Sequence, residues 1–186
     1  MKEPVVPRLT GGEYLGWEQR QEAKFELHHG FVLAFAGGTV AHDQIAFNLR
    51  VALARAYPPP CRTFGSDLKV RASADAYFYA DAGVLCEPIG DDQSVVERPR
   101  VVAEVLSPST RAYDLVEKRA AYKDVASLAA IAFVESHLRR VEVETLRSDG
   151  TWHSAYYDDG EAWIGDCRVA LDEIYAGTSL AAQESR

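Results

Sequence analysis

Along the chain the apolar positions change period several times, and each period predicts an element. Thr10 followed by Glu13 reads as a capping box opening a short helix, with Leu15 and Trp17 as its apolar residues. Lys24–His28 and Phe31–Phe35 read as strands joined by His29-Gly30, a tight hairpin turn. Gly37-Gly38 interrupts the pattern. From Ala41 the apolar positions Ile45, Leu49, Ala52, Leu53 and Ala56 recur at helical spacing, until Pro58-Pro59-Pro60 stops the helix. Short strands are expected at Cys61–Phe64 and Leu68–Arg71, longer ones at Tyr77–Cys86 and Arg100–Leu106, and a helix from about Asp114 to Ala126. Ala129–Val134, Arg140–Leu146, Trp152–Tyr157 and Ala162–Ile164 read as strands, with Ser148-Asp149-Gly150 as a hairpin turn. Residues 177–186 are expected to fray. Without a repeat, a low-complexity tract or a linker, residues 1–186 read as a single α/β domain with its core at about 12–175.

Three of these elements contain a residue that their own pattern does not explain. In Tyr77–Cys86, YFYADAGVLC, Asp81 alone is charged. A strand apolar on both faces is a covered one, where an ionised carboxylate is costly unless paired. In Val101–Leu106, VVAEVL, Glu104 is the same anomaly. Alternation puts Glu104 on the face of Val102 and Leu106, and Asp81 on the face of Tyr79 and Gly83, where Gly83 leaves room for a ligand. If the strands are neighbours, the 13-residue loop Glu87–Pro99 lets both acids meet on one face. Two carboxylates so placed repel unless one is protonated or a cation sits between them. The alternative is that each pairs with a buried Arg or Lys for structure alone. In the next helix Leu115, Ala121, Tyr122, Val125 and Ala126 share one sector of the helical wheel, and Lys118 lies inside it. Its ammonium either snorkels out or aims at carboxylates in the sheet. Glu26 is an edge-strand acid or a further site carboxylate. His42, on the Ile45/Leu49 stripe, reads more readily as a hydrogen-bonded core residue than as a ligand, and His28 and His29 are expected to be solvated.

Composition bounds what these groups can belong to. A chain of 186 residues with 47% hydrophobic positions can bury a full core. No apolar run nears the ~18 residues of a membrane span, and MKEPVVPRLT has no apolar region of a secretory signal, so the expected location is the cytoplasm. Cys61, Cys86 and Cys167 are widely spaced and odd in number, which argues against a disulfide framework or a thiolate zinc site and fits a reducing compartment. There is no HExxH spacing, no GxSxG elbow and no complete phosphate loop. The net charge of −8 is uneven: Glu135–Arg186 holds 11 acids against 5 Lys/Arg, so the rest is near balance. No basic stripe predicts nucleic-acid binding, and the charge does not exclude it.

The segments FELHHGFVLAFAGG, AHDQIAFNL, DLKVR, YADAGVLCEP, RPRVVAEVLSPSTRAYDLVEKRAAY and RRVEVETLRSDGTW, in that order, resemble the large bacterial restriction endonuclease domain family, a branch of the PD-(D/E)xK nuclease superfamily. The resemblance runs from about Gly12 to Tyr175 and is most specific in EVLSPST followed by DxxxK, here Glu104 to Lys118. It implies a restriction-endonuclease-like mixed β-sheet core flanked by helices, with additional N-terminal and C-terminal β-hairpins. Asp81 matches the superfamily aspartate, with Ala80 where proline is usual, and Glu104 matches the (D/E) position. Leu106 stands where the usual lysine would be; in this family the lysine has moved to the following helix, and Lys118 is its match. Glu26 matches an early glutamate, with His29 in place of an aspartate that shapes the turn. The implied catalytic set is therefore Asp81, Glu104, Lys118 and Glu26. The implied cofactor is Mg²⁺, with Mn²⁺ as substitute, held by Asp81, Glu104 and the Val105 carbonyl. The metal would lower the pKa of a bound water, Lys118 would orient that water or stabilise phosphate charge, and Glu26 could hold a second metal or its water. The implied reaction is hydrolysis of DNA, leaving a 5′-phosphate and a 3′-hydroxyl, by a homodimer, since cutting both strands takes two sites. A non-catalytic nucleic-acid- or protein-binding module of the same fold, and a hydrolase of another phosphodiester, are the alternatives. The filled acid–acid–lysine set favours an enzyme.

Overall fold

In the computed structural model, which describes residues 8–35 and 37–181, the strands divide between two main sheets. The first contains β1 (Phe25–His28), β2 (Phe31–Ala34), β4 (Lys69–Ser73), β5 (Ala76–Phe78) and β7 (Val95–Val96), in the order β2-β1-β5-β4-β7. The second contains β3 (Arg62–Gly65), β6 (Ala82–Leu85), β8 (Val101–Leu106), β9 (Ala130–Glu135), β10 (Val141–Leu146) and β11 (Trp152–Tyr157), in the order β11-β10-β9-β8-β6-β3. The β8–β9 and β4–β7 pairs are parallel and the remaining pairs antiparallel, so both sheets are mixed. A ribbon of β12 (Glu161–Ile164) and β13 (Cys167–Ala170) completes the strands. The expected N-terminal hairpin is present as β1–β2 but forms part of the first sheet. The C-terminal hairpins are β10–β11 and β12–β13.

Helices cover both faces of β8, which is why that strand reads as nearly continuous hydrophobic sequence. On one side α2 (Val40–Ala56) packs Ile45, Leu49 and Leu53 against Ala82, Val101, Ala103 and Val105, joined by Leu171 and Ile174 of α5 (Leu171–Tyr175). On the other side Val102 and Leu106 pack with Phe78 of the first sheet and with Tyr122. Tyr122 belongs to a composite helix of α3 (Arg111–Tyr113), a π-helical turn Asp114–Lys118, and α4 (Arg119–Lys123). The expected helix thus starts three residues earlier and contains a π turn that a regular 3.6 period cannot reveal. At the N-terminus the Thr10–Glu13 capping box of α1 (Gly11–Glu18) is present, but its buried side chains are Tyr14 and Glu18, with Leu15 and Trp17 only half-buried.

Several expectations are corrected. The run Tyr77–Cys86 is two strands in different sheets, and Tyr79, Ala80 and Asp81 cross between them. An apolar run covered on both faces looks the same whichever neighbour it pairs with, so its composition hides the crossing. Gly83 does not leave room for a ligand: Phe64, its partner across the β3–β6 ladder, fills the place of a Cβ. Cys61 and Cys86 form a disulfide, leaving Cys167 free. The odd cysteine count argues only against a full framework, whereas the β3–β6 pairing brings these two together one residue beyond Arg62↔Leu85. β7, β13 and α5 are too short for a periodic signal. The chain from 177 to 181, expected to fray, forms turns with Leu180 packed on the core, and residues 182–186 lie outside the described residues. Among the described residues no helix is long and apolar enough to cross a membrane.

Candidate active site

The antiparallel β6–β8 ladder pairs Val84 with Val101, Gly83 with Val102 and Ala82 with Ala103. One step further along that register Asp81 faces Glu104. Asp81 has just left the strand, and its Oδ2 accepts the Val105 N–H at 2.7 Å. The same oxygen lies 3.3 Å from His42 Nε2. His42 reaches it from the first turn of α2, whose Thr39 cap accepts the His42 N–H. A Cβ on Gly38 would lie 2.5 Å from His42 Nδ1, so glycine lets the loop pass close to the ring.

Glu104 is held from the composite helix. Its Oε1 accepts the Tyr122 hydroxyl at 2.6 Å and the Lys118 ammonium at 3.4 Å. Lys118 Nζ is also 2.9 Å from Glu26 Oε1 and 3.5 Å from Asp114 Oδ1. Glu26 is fixed in turn by the Tyr79 N–H, at 2.9 Å. Tyr79 sits on the crossing between the sheets, so this bond locks β1 against the segment that delivers Asp81. The π turn, in which the Arg119 N–H reaches back to the Asp114 carbonyl, contributes both Asp114 and Lys118 to the site. Glu26, Asp81, Glu104, Asp114 and Lys118 are all buried.

The charges do not balance. Four carboxylates meet one ammonium and one imidazole. Burial raises Glu104 well above the ordinary carboxylate range; Lys118 opposes the rise, while Asp81, Asp114 and Glu26 add to it. Burial likewise raises Glu26 and Asp114 against the pull of Lys118. For Lys118 burial disfavours the ammonium, but Glu104, Glu26 and Asp114 outweigh it and the net shift is upward. For His42 burial also opposes the charge, and the Asp81 carboxylate and the Val105 backbone overcome it. The group lines a cleft of about 280 Å³ that also includes Gly37, Gly38, Ser107, Ser109, Thr110 and Tyr113. The Tyr113 hydroxyl is buried there without a hydrogen-bond partner. Such a site suits a hard cation and an anionic oxygen ligand that can accept from Lys118 and Tyr113.

Asp81, Glu104, Lys118, Glu26 and Val105 are thus brought together around one cleft. Lys118 turns inward and does not snorkel; Glu104 does pair with this buried lysine, whereas Asp81 pairs with His42 and with no Arg or Lys. His28, expected to be solvated, is buried, while His29 is exposed. Asp114 carries no sequence signal that marks it for the site, although its position four residues before Lys118 puts it on the same helix side. The Tyr113 and Tyr122 hydroxyls were hidden by their aromatic rings, which read as ordinary core.

Two mixed sheets flanked by helices, with the acids where the chain crosses between them, define a mixed α/β fold. It is shared with the crystal structure of a putative nuclease belonging to DUF820 from Anabaena variabilis, at a TM-score of 0.72 and 14% identity, over 90% of this chain and 98% of that one. Residues 12–171 match the model of the Uma2 family, described as "Putative restriction endonuclease", and the chain belongs to that family. Two uncharacterised proteins of Synechocystis sp. are similar to it. One, slr1290, is 32% identical over 182 residues, 94% of this chain and 95% of that protein. The other, sll1609, is 30% identical over 149 residues, 77% and 84% of the two chains.

Proposed function

We propose that the protein is a Mg²⁺-dependent endonuclease that hydrolyses DNA phosphodiester bonds in the cleft between Asp81, Glu104 and Lys118. The observation that carries this reading is the placement of Asp81 opposite Glu104 at the end of the β6–β8 ladder, inside a buried group with more carboxylates than cations. The description of the family supports a nuclease acting on DNA.

The residues fit a divalent cation. Their donors are hard oxygens, their excess charge is negative, and Tyr113, which lines the same cleft, has a buried hydroxyl without a partner. Asp81, Glu104 and the Val105 carbonyl would hold the ion. When bound, it supplies charge neutralisation and an acidified water. Lys118 donates to a non-bridging phosphate oxygen or holds the attacking water, and Glu26 keeps its ammonium over Glu104. Tyr122 fixes one Glu104 oxygen, leaving the other free to ligate. The Val105 N–H and His42 fix Asp81 Oδ2 in the same way. Tyr113 donates to the phosphate. A 5′-phosphate and a 3′-hydroxyl are the products, and a homodimer supplies the second site for the second strand.

The test is incubation of tag-free protein with supercoiled plasmid and Mg²⁺ or Mn²⁺. Nicked or linear DNA is expected, and EDTA or Asp81→Asn should abolish it. If neither DNA nor RNA is cut with either metal, a binding module of the same fold replaces the enzyme.

A further inference from the structure

A second set of ligating groups lies outside the cleft, where the β1–β2 hairpin meets the π turn. His28 ends β1, His29 opens the hairpin turn, and Glu117 precedes Lys118. An imidazole nitrogen from each histidine and a carboxylate oxygen of Glu117 all lie within 4.8 Å of one another. His28 Nε2 is 4.0 Å from Glu117 Oε2, and the two imidazole centroids are 4.1 Å apart. None of the three residues lines the cleft.

The local structure explains how two imidazoles come together. His29 and Gly30 have φ of 51° and 81°, the left-handed pair of a two-residue hairpin turn in which Asn-Gly or Asp-Gly is the usual choice. In that conformation the His29 ring folds back beside His28 instead of alternating to the opposite face. His28 is held by edge contacts to Phe78 and Tyr113, at centroid separations of 5.5 and 5.8 Å. It is a fixed ligand; His29 and Glu117 are exposed and free to adjust. Asp75 Oδ2 stands 3.9 Å from His29 Nδ1, so a small turn of the exposed ring would bring that N–H within hydrogen-bond reach and leave Nε2 for an ion. Ligand atoms around a tetrahedral ion with bonds of about 2.0–2.2 Å lie a little over 3 Å apart. Closure therefore needs a shift of roughly 1.5 Å at most, within reach of two surface rotamers.

We propose that His28, His29 and Glu117 bind a divalent transition-metal ion of the Zn²⁺ class, with water at the open position. Two imidazoles and one carboxylate suit such an ion and not Mg²⁺, which prefers oxygen ligands alone. The ion would tie β1, which carries Glu26, to the helix that carries Lys118, across the pair those two residues make.

The experiment titrates Zn²⁺ into metal-stripped, tag-free full chain by calorimetry, with thermal midpoints recorded alongside. With excess Mg²⁺ present throughout to occupy the cleft, wild type should bind one Zn²⁺ per chain and gain midpoint. His29→Asn, whose new residue tolerates the turn conformation, and Glu117→Gln should each weaken binding more than about tenfold and lose the gain. Asp81→Asn should leave Zn²⁺ binding unchanged. Equal Zn²⁺ affinity in wild type and His29→Asn, loss of binding in Asp81→Asn instead, or no saturable binding by wild type would each overturn the site.

Discussion

The Lys118 ammonium lies closer to Glu26 Oε1, at 2.9 Å, than to Glu104 at 3.4 Å or Asp114 at 3.5 Å. A single cation thereby joins the first sheet, the central strand of the second, and the helix that covers them. Removing one partner of a buried ion pair costs about 3–5 kcal/mol because the other charge is left uncompensated. Lys118→Met should lower the thermal midpoint in metal-free buffer, and added Mg²⁺ should raise that midpoint more in the variant than in wild type. Differential scanning fluorimetry with and without Mg²⁺ reads both effects. Equal Mg²⁺ shifts would mean that the cation binds away from Lys118.

The carboxyls of the site make apo stability depend on pH in a defined direction. Burial raises Glu104, and Asp81, Asp114 and Glu26 reinforce the rise against Lys118. A carboxyl raised in the folded state contributes stability that is present below its unfolded value and is lost as pH rises through the folded value. Gln at 104 cannot titrate but retains an acceptor for Tyr122. In metal-free buffer wild type should therefore lose stability relative to Glu104→Gln as pH rises above 4.5, the ordinary value. Midpoint-against-pH curves that run parallel would contradict the raised Glu104.

Tyr122→Phe removes the donor to Glu104 Oε1 and leaves a buried carboxylate oxygen one partner short. Loss of such a partner costs about 1–3 kcal/mol. Chemical denaturation should show a destabilisation in that range, together with slower metal-dependent cleavage as Glu104 loses its fixed orientation. Unchanged stability would mean that Glu104 Oε1 does not depend on the Tyr122 hydroxyl.

Gly38→Ala tests the delivery of His42. The added methyl would lie 2.5 Å from His42 Nδ1 and should push the imidazole off Asp81. Because Gly38 is exposed, the fold should persist while cleavage and the Mg²⁺-induced midpoint gain both fall. A variant that retains both shows that His42 does not position Asp81.

The parts of this site legible in the sequence are those that break a pattern. Asp81 and Glu104 stand out because nothing else in their strands is charged. Lys118 stands out because its neighbours on the wheel are apolar, and the π turn leaves it facing the sheets. Asp114 is not legible in the same way, since an acid near a helix start is ordinary. Tyr122 passes for core because its ring is core, and only its oxygen belongs to the site. The crossing at Tyr79–Asp81 and the Cys61–Cys86 bridge depend on which strands pair, and periodicity along one strand carries no information about its neighbours. His28 is buried for the same reason: a position beside a turn looks exposed until Phe78 and Tyr113 are packed against it.

The central test is single-turnover cleavage of labelled duplex DNA by wild type and Lys118→Met, with saturating Mn²⁺ and below the midpoint of the variant. A group acting mainly in the transition state should, when removed, lower turnover by about 10²–10³ while leaving DNA affinity within a few fold. Cleavage by Lys118→Met at the wild-type rate would contradict a catalytic site built on Asp81, Glu104 and Lys118.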